Sequence, residues 1–163
     1  MPYWEDKVDP GFDFQSDRYS HDRDPSQDAY AHELFESPPY DGILLSRAIV
    51  EKSRAGFEEL LKVGAHRYLR LPRELQILGD CGAFSYVNEE HPRYETEEVL
   101  EYYDAIGVDY GVSVDHLIVN TIYKTTPKEG KMVRQKIQMP EKERRRRQQL
   151  TLENASTEPC INF

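Results

Sequence analysis

The chain has 163 residues with 30 acidic and 21 basic side chains, a formal net charge of −9 and only two cysteines. That size suits one domain or part of a larger one, and two distant cysteines exclude a disulfide framework or a cysteine-based zinc site. No apolar run approaches the ~18 residues of a membrane span, and the first residues lack the basic start and apolar stretch of a secretory signal, so a reducing, cytoplasmic location is expected.

Residues 1–40 carry five prolines and many aspartates and serines between aromatics. This composition predicts turns. The aromatics, among them Tyr3, Trp4, Phe12, Phe14, Tyr19, Tyr30 and Phe35, argue against plain disorder, and the segment reads as an irregular arm packed against a domain. Periodic structure begins at Asp41-Gly42. Ile43-Leu44-Leu45 reads as a short buried strand. Glu51 to Val63 shows helical spacing through Phe57, Leu60 and Leu61, with Gly64 as its stop. Leu75 to Leu78 is the next strand. Thr96 is a candidate cap for a helix whose apolar face is Val99, Leu100, Tyr103 and Ile106, ended by Gly107. Tyr110 to Val114 is another strand. Residues 125–131 read as a polar loop, and Pro140 opens a last helix from Glu141 to about Ala155. The tail, 156–163, has no assigned structure.

Strand, helix, strand, helix, strand implies an α/β fold with parallel strands and crossover helices. Three strands do not close a barrel, which takes ~250 residues when complete. The chain is therefore a small open sheet or the leading part of a larger enzyme.

Two runs stand out. Leu75 to Leu78 leads into Gly79-Asp80-Cys81-Gly82-Ala83-Phe84, so a strand ends on a carboxylate followed by small residues and an aromatic. Asp109 to His116 repeats the theme, with Asp115 at the end of the third strand. Carboxyl ends of parallel strands are where such folds place their chemistry. Ser46 and Arg47 close the first strand at the same rim, and strand alternation puts Ser113 and Asp115 on one side. The bland alternatives are concrete. Asp80 can cap a turn, Phe84 can be core, and Asp115 with His116 can be an ordinary polar pair or two metal ligands without a third. His116 reads as a satisfied surface or core histidine and Asp109 as structural. Arg47 can meet phosphate or base, or form a surface ion pair. The basic stretch from Lys124 to Arg147 supports a nucleic-acid partner. Its Arg144-Arg145-Arg146-Arg147 run reads as a solvated helix or as a phosphate clamp.

Gly79-Asp80-Cys81-Gly82-Ala83-Phe84 resembles the Asp-Ser-Gly-Gly-aromatic signature of the tRNA-guanine transglycosylases, and Gly107 to Asp115 resembles a later segment of that family in the same order. The text from Pro39 to Glu51 and from Leu150 to Ala155 is more similar to the branch that inserts 7-deazaguanines into DNA. The resemblance implies a (β/α)8 barrel of which residues 41–155 are an amino-terminal part, and a base exchange in which guanine in nucleic acid is replaced by a 7-deazaguanine such as 7-cyano-7-deazaguanine. DNA is expected as substrate rather than tRNA. By the same resemblance Asp80 binds the base and handles protons, Phe84 stacks on it, Asp115 accepts from its amine and ring nitrogen, and Gly82 and Ser46 belong to the same pocket. The family's nucleophilic aspartate and its three-cysteine, one-histidine zinc site lie downstream of the matched text. No cofactor is therefore expected within these residues, and a truncated or frame-shifted chain, inactive alone, is the expectation. The alternatives are a non-catalytic subunit binding nucleic acid or base, with a second copy or a partner chain completing it, a tRNA-directed enzyme, an unrelated small α/β binding protein, and a gene remnant.

Overall fold

The computed structural model describes residues 7–128 and 131–157. At its centre lie three parallel strands, β3 (Gly42–Ser46), β4 (Gln76–Asp80) and β5 (Tyr110–Gly111), after two short strands β1 (Lys7–Val8) and β2 (Ala29–Tyr30) in the arm. Strands β3 and β4 are in register from Gly42↔Gln76 to Ser46↔Asp80, and β5 joins through Leu78↔Tyr110 and Gly79↔Gly111. Ile43, Leu45 and Ile77 are almost wholly buried, as a sheet covered on its faces requires.

The crossover from β3 to β4 contains α1 (Arg47–Val50), α2 (Arg54–Val63) and α3 (Ala65–Tyr68). Helix α2 starts three residues later than its spacing predicts, because Ser53 caps it by accepting from the Gly56 N–H at 3.1 Å. The crossover from β4 to β5 contains α4 (Thr96–Ile106). Glu95, not Thr96, occupies its cap position, and Glu97 and Glu98 in the first turn suit the positive end of the helix. Val99, Tyr102, Tyr103 and Ile106 recur at helical spacing and are buried against the sheet with Leu60 of α2.

Tyr103 sets the close packing of α4 on the sheet. A Cβ added to Gly79 would lie 2.6 Å from one edge of the Tyr103 ring, and one added to Gly111 would lie 2.6 Å from the other. The paired glycines of β4 and β5 thus form a slot for this ring.

The arm is tied down by charge over an aromatic. Tyr30 is buried with the Lys7 ammonium 4.4 Å and the Arg70 guanidinium 4.7 Å from its ring centre. Arg70 also pairs with Glu33 at 2.7 Å, and His32 bonds the Arg70 carbonyl at 3.2 Å.

Two further expectations need correction. The third strand ends at Gly111 rather than Val114, since the Tyr103 hydroxyl takes the Val112 carbonyl at 3.1 Å and the chain leaves the ladder there. The segment read as a polar loop is instead part of an antiparallel hairpin, β6 (Thr121–Lys128) and β7 (Lys131–Gln138). The last helix, α5, runs Glu141–Thr157. Cys160 and the rest of the tail from 158 lie outside the described residues. The central sheet has three strands and is not closed among the described residues.

Candidate functional site at the sheet rim

Register places Ser46 and Asp80 side by side at the carboxyl ends of β3 and β4. The buried Ser46 hydroxyl and the Gly82 N–H face the Asp80 carboxylate and favour its ionised form. Burial nevertheless dominates and pushes the Asp80 carboxyl above the usual carboxylate range. Gly82 has φ +84°, and a Cβ there would sit 2.5 Å from the Ala48 Cβ and 2.9 Å from the Ser46 Oγ. Only glycine lets the backbone turn under Asp80 this closely.

Asp115 reaches the same rim without being a strand end. The Val112 N–H still bonds the Gly79 carbonyl at 2.8 Å. Beyond it the chain runs irregularly, so strand alternation does not relate Ser113 to Asp115. Side chains hold this segment instead. Asn154 of α5 donates to the Val114 carbonyl at 2.8 Å, and the Tyr86 hydroxyl donates to the Asp115 carbonyl at 3.1 Å. The Cys81 thiol lies 3.1 Å from the Tyr86 hydroxyl and 3.8 Å from Asp115 Oδ1. Asp115 is also pushed up, first by burial and then by the charge of Asp80. The two half-buried carboxyls therefore sense one another.

A short 3-10 turn, Ala83–Tyr86, follows Gly82 and sends its two rings opposite ways. Tyr86 is fully buried beneath the rim, whereas Phe84 is 82% exposed beside it. The core reading of Phe84 is excluded.

No protein-family model matches the chain. It is 40% identical over 127 residues to a DNA-guanine transglycosylase of Salmonella montevideo, a match covering 72% of this chain and 30% of that protein. The chain belongs to the tRNA-guanine transglycosylase-like family. It spans less than a third of the length of that relative.

Within this transglycosylase-like chain several rim residues do something other than expected. Arg47 is neither a rim ligand nor a surface pair. It opens α1 and is buried, with Glu51 at 2.7 Å, Glu98 as second partner, and the rings of Tyr94 and Tyr102 at 4.3 and 5.0 Å. The arginine run is not uniform, with Arg145 exposed, Arg144 and Arg146 half-buried and Arg147 buried. Arg144 and Arg145 pair with Glu141, and Arg146 and Arg147 with Glu143, which they hold down at about 2. Arg147 is 1% exposed and donates to the carbonyls of Val87, Leu117 and Glu89 at 2.9, 3.0 and 3.1 Å. It thereby clamps the chain just after Phe84 to the chain just after Asp115. His116 is core but not satisfied, since neither ring nitrogen has a hydrogen-bond partner among the described residues. Burial, then Arg147 and Arg146, lower its pKa to about 4. Asp109 accepts from the Ile77 N–H at 2.7 Å, a structural role.

Sequence reading missed Arg147, Tyr86, Cys81 and Asn154 as supports of the rim. Only Cys81 carried a signal, by standing next to Asp80. The family's zinc chemistry finds no fit in these residues. The chain has two cysteines, fewer than a three-cysteine site takes, and Cys81 is engaged with Tyr86. Among the described residues no cluster of three potential ligands is suited to a metal ion.

Proposed function

We propose that residues 41–155 are the leading part of a (β/α)8 barrel whose rim binds a guanine-type base for exchange in nucleic acid, with DNA rather than tRNA as substrate and a 7-deazaguanine as incoming base. The observation that carries this reading is the pair Asp80 and Asp115, two coupled, half-buried carboxyls at the carboxyl end of a parallel sheet. The name of the relative favours DNA.

Guanine offers two donors side by side, the ring N1–H and the exocyclic amine. An ionised Asp115 accepts from both, and charge-assisted bonds of this kind are strong. When the bond from the sugar carbon to N9 breaks, its electron pair goes to the base. A carboxyl whose proton affinity is raised by burial is suited to supply the proton that neutralises it, and Asp80 takes that role. Ser46 and Gly82 fix the Asp80 carboxyl, and the exposed Phe84 ring stacks on the planar base. In a duplex the base must first leave the stack. The attack on the sugar carbon falls to an aspartate outside the residues matched here, so the role proposed for these residues is base binding.

Calorimetric titration of the full chain with guanine and with 7-cyano-7-deazaguanine tests the reading. Binding that falls at least about tenfold in both Asp115→Asn and Phe84→Ser is expected, from loss of a charged acceptor pair and of a stacking face. Unchanged binding in Asp80→Asn and Asp115→Asn would make both carboxylates structural and end the proposal.

A further inference from the structure

The β6–β7 hairpin is absorbed by neither the rim nor the sheet. Its two strands contain no Asp or Glu and carry Lys124, Lys128, Lys131, Arg134 and Lys136. Register divides the described side chains between two faces. One face carries Ile122, which is buried, with Ile137 opposite it, and it turns toward Asn88, Glu143 and Arg147. Lys124 lies on this inward face, over a hollow also lined by Glu89, Glu90 and Glu143. The other face presents Thr121, Tyr123 and Thr125 across from Gln138, Lys136 and Arg134, all exposed. The Arg134 guanidinium lies over Tyr123, 4.2 Å from its ring centre. Neither Arg134 nor Lys136 has an acidic partner among the described residues, unlike all four arginines of the run in α5.

The hairpin is joined to the rim at its base. Asn88 Oδ1 accepts from the Tyr123 N–H at 2.8 Å, and Asn88 stands two residues after the turn that bears Phe84. Cations, hydroxyls and amides on two paired strands that hold no carboxylate suit a phosphodiester backbone. A two-stranded ribbon enters the wide major groove of B-form DNA, whereas the deep, narrow groove of an A-form RNA helix excludes it.

We propose that the outward face of this hairpin, through Arg134, Lys136 and the hydroxyls of Thr121 and Thr125, is a docking surface for the backbone of duplex DNA. It goes beyond the base-exchange reading and stands without it, since neither rim carboxylate takes part.

Fluorescence anisotropy of a fluorescein-labelled B-form duplex, titrated with the full chain between about 50 and 200 mM salt, tests it. The double variant Arg134→Gln, Lys136→Gln is expected to bind roughly tenfold more weakly at the low-salt end, with a salt slope shallower by about two. Lys124→Gln removes a charge from the inward face and is expected to change affinity by no more than about twofold. The double variant leaves Asp80, Asp115 and Phe84 in place and is expected to bind free base in calorimetry as the parent does, so loss of base binding and loss of duplex binding are read separately. A double variant with the parent's affinity and slope overturns the proposal, as does a parent chain that binds no duplex. An RNA hairpin bound as tightly through the same two residues overturns the choice of DNA.

Discussion

Buried charge appears in two regions of this molecule on opposite terms. In the scaffold, Arg47 and Arg147 are sunk among packed groups and heavily bonded, by two carboxylates and two tyrosine rings in one case and by a carboxylate and three carbonyls in the other. At the rim, Asp80 and Asp115 are half-buried, and what donates to them does not offset burial, so both hold protons more tightly than usual. A buried charge that is fully partnered fixes loops in place, whereas one left short of partners keeps capacity for a ligand or a proton. The scaffold arginine and the rim carboxylates are linked, because Arg147 bonds both loops that carry the rim residues.

The largest effect is expected at that link. Arg147→Ala leaves three carbonyls and part of Glu143 without their donor, and a loss of about 3–5 kcal/mol in urea unfolding is expected. Arg145, two positions earlier in the same run, is exposed and pairs only with Glu141 among the described residues. Its replacement by alanine is expected to cost no more than about 0.5 kcal/mol. Equal losses in the two variants would erase the distinction between a clamp and a solvated pair.

That run also shows where sequence reading stops. Four consecutive arginines are alike in text, and only the packing of α5 against Val87, Glu89 and Leu117 singles out one of them. Strands β3 and β4 and helices α2 and α4 were legible because apolar periodicity and the glycines Gly64 and Gly107 mark them locally. The hairpin was not, since both its faces are largely polar and Pro127 with Gly130 reads as loop. The end of β5 was illegible for a different reason. The hydroxyl that diverts it belongs to Tyr103, a residue that helical spacing assigns to the core. At the rim, the types and order of Asp80, Gly82, Phe84 and Asp115 were readable. That Asp115 is held by Tyr86 and Asn154 rather than by a strand was not.

His116 gives the next effect in size. Its ring lies between Tyr86 and α5, faces Arg146, Arg147 and Glu143, and is neutral when folded. The folded value of about 4 lies below the ordinary 6.5, so the unfolded chain binds the proton more readily. Stability is therefore full above about pH 6.5 and falls as pH drops toward 4. The gap corresponds to a loss on the order of 3 kcal/mol. His116→Leu removes two unpartnered nitrogens from a buried site. It is expected to match or exceed the parent in urea midpoint near neutral pH and to flatten the decline at acid pH. A variant that still loses stability in step with the parent would place that loss elsewhere.

The smallest effect has the opposite sign. Asp115 has a raised proton affinity, so its carboxyl favours the folded state while protonated, and that advantage is lost as pH rises through its folded value. At neutral pH the ionised form bears both burial and the repulsion of Asp80. Asp115→Asn removes charge but keeps the shape and one acceptor oxygen, so thermal unfolding at neutral pH is expected at a slightly higher temperature than in the parent. The same substitution is expected to weaken base binding. A gain in stability together with a loss in binding is what a group held for a ligand produces. Were Asp115 a structural carboxylate like Asp109, the substitution would lower the unfolding temperature and leave binding intact, and the contrast between scaffold and rim would fail at its most exposed point.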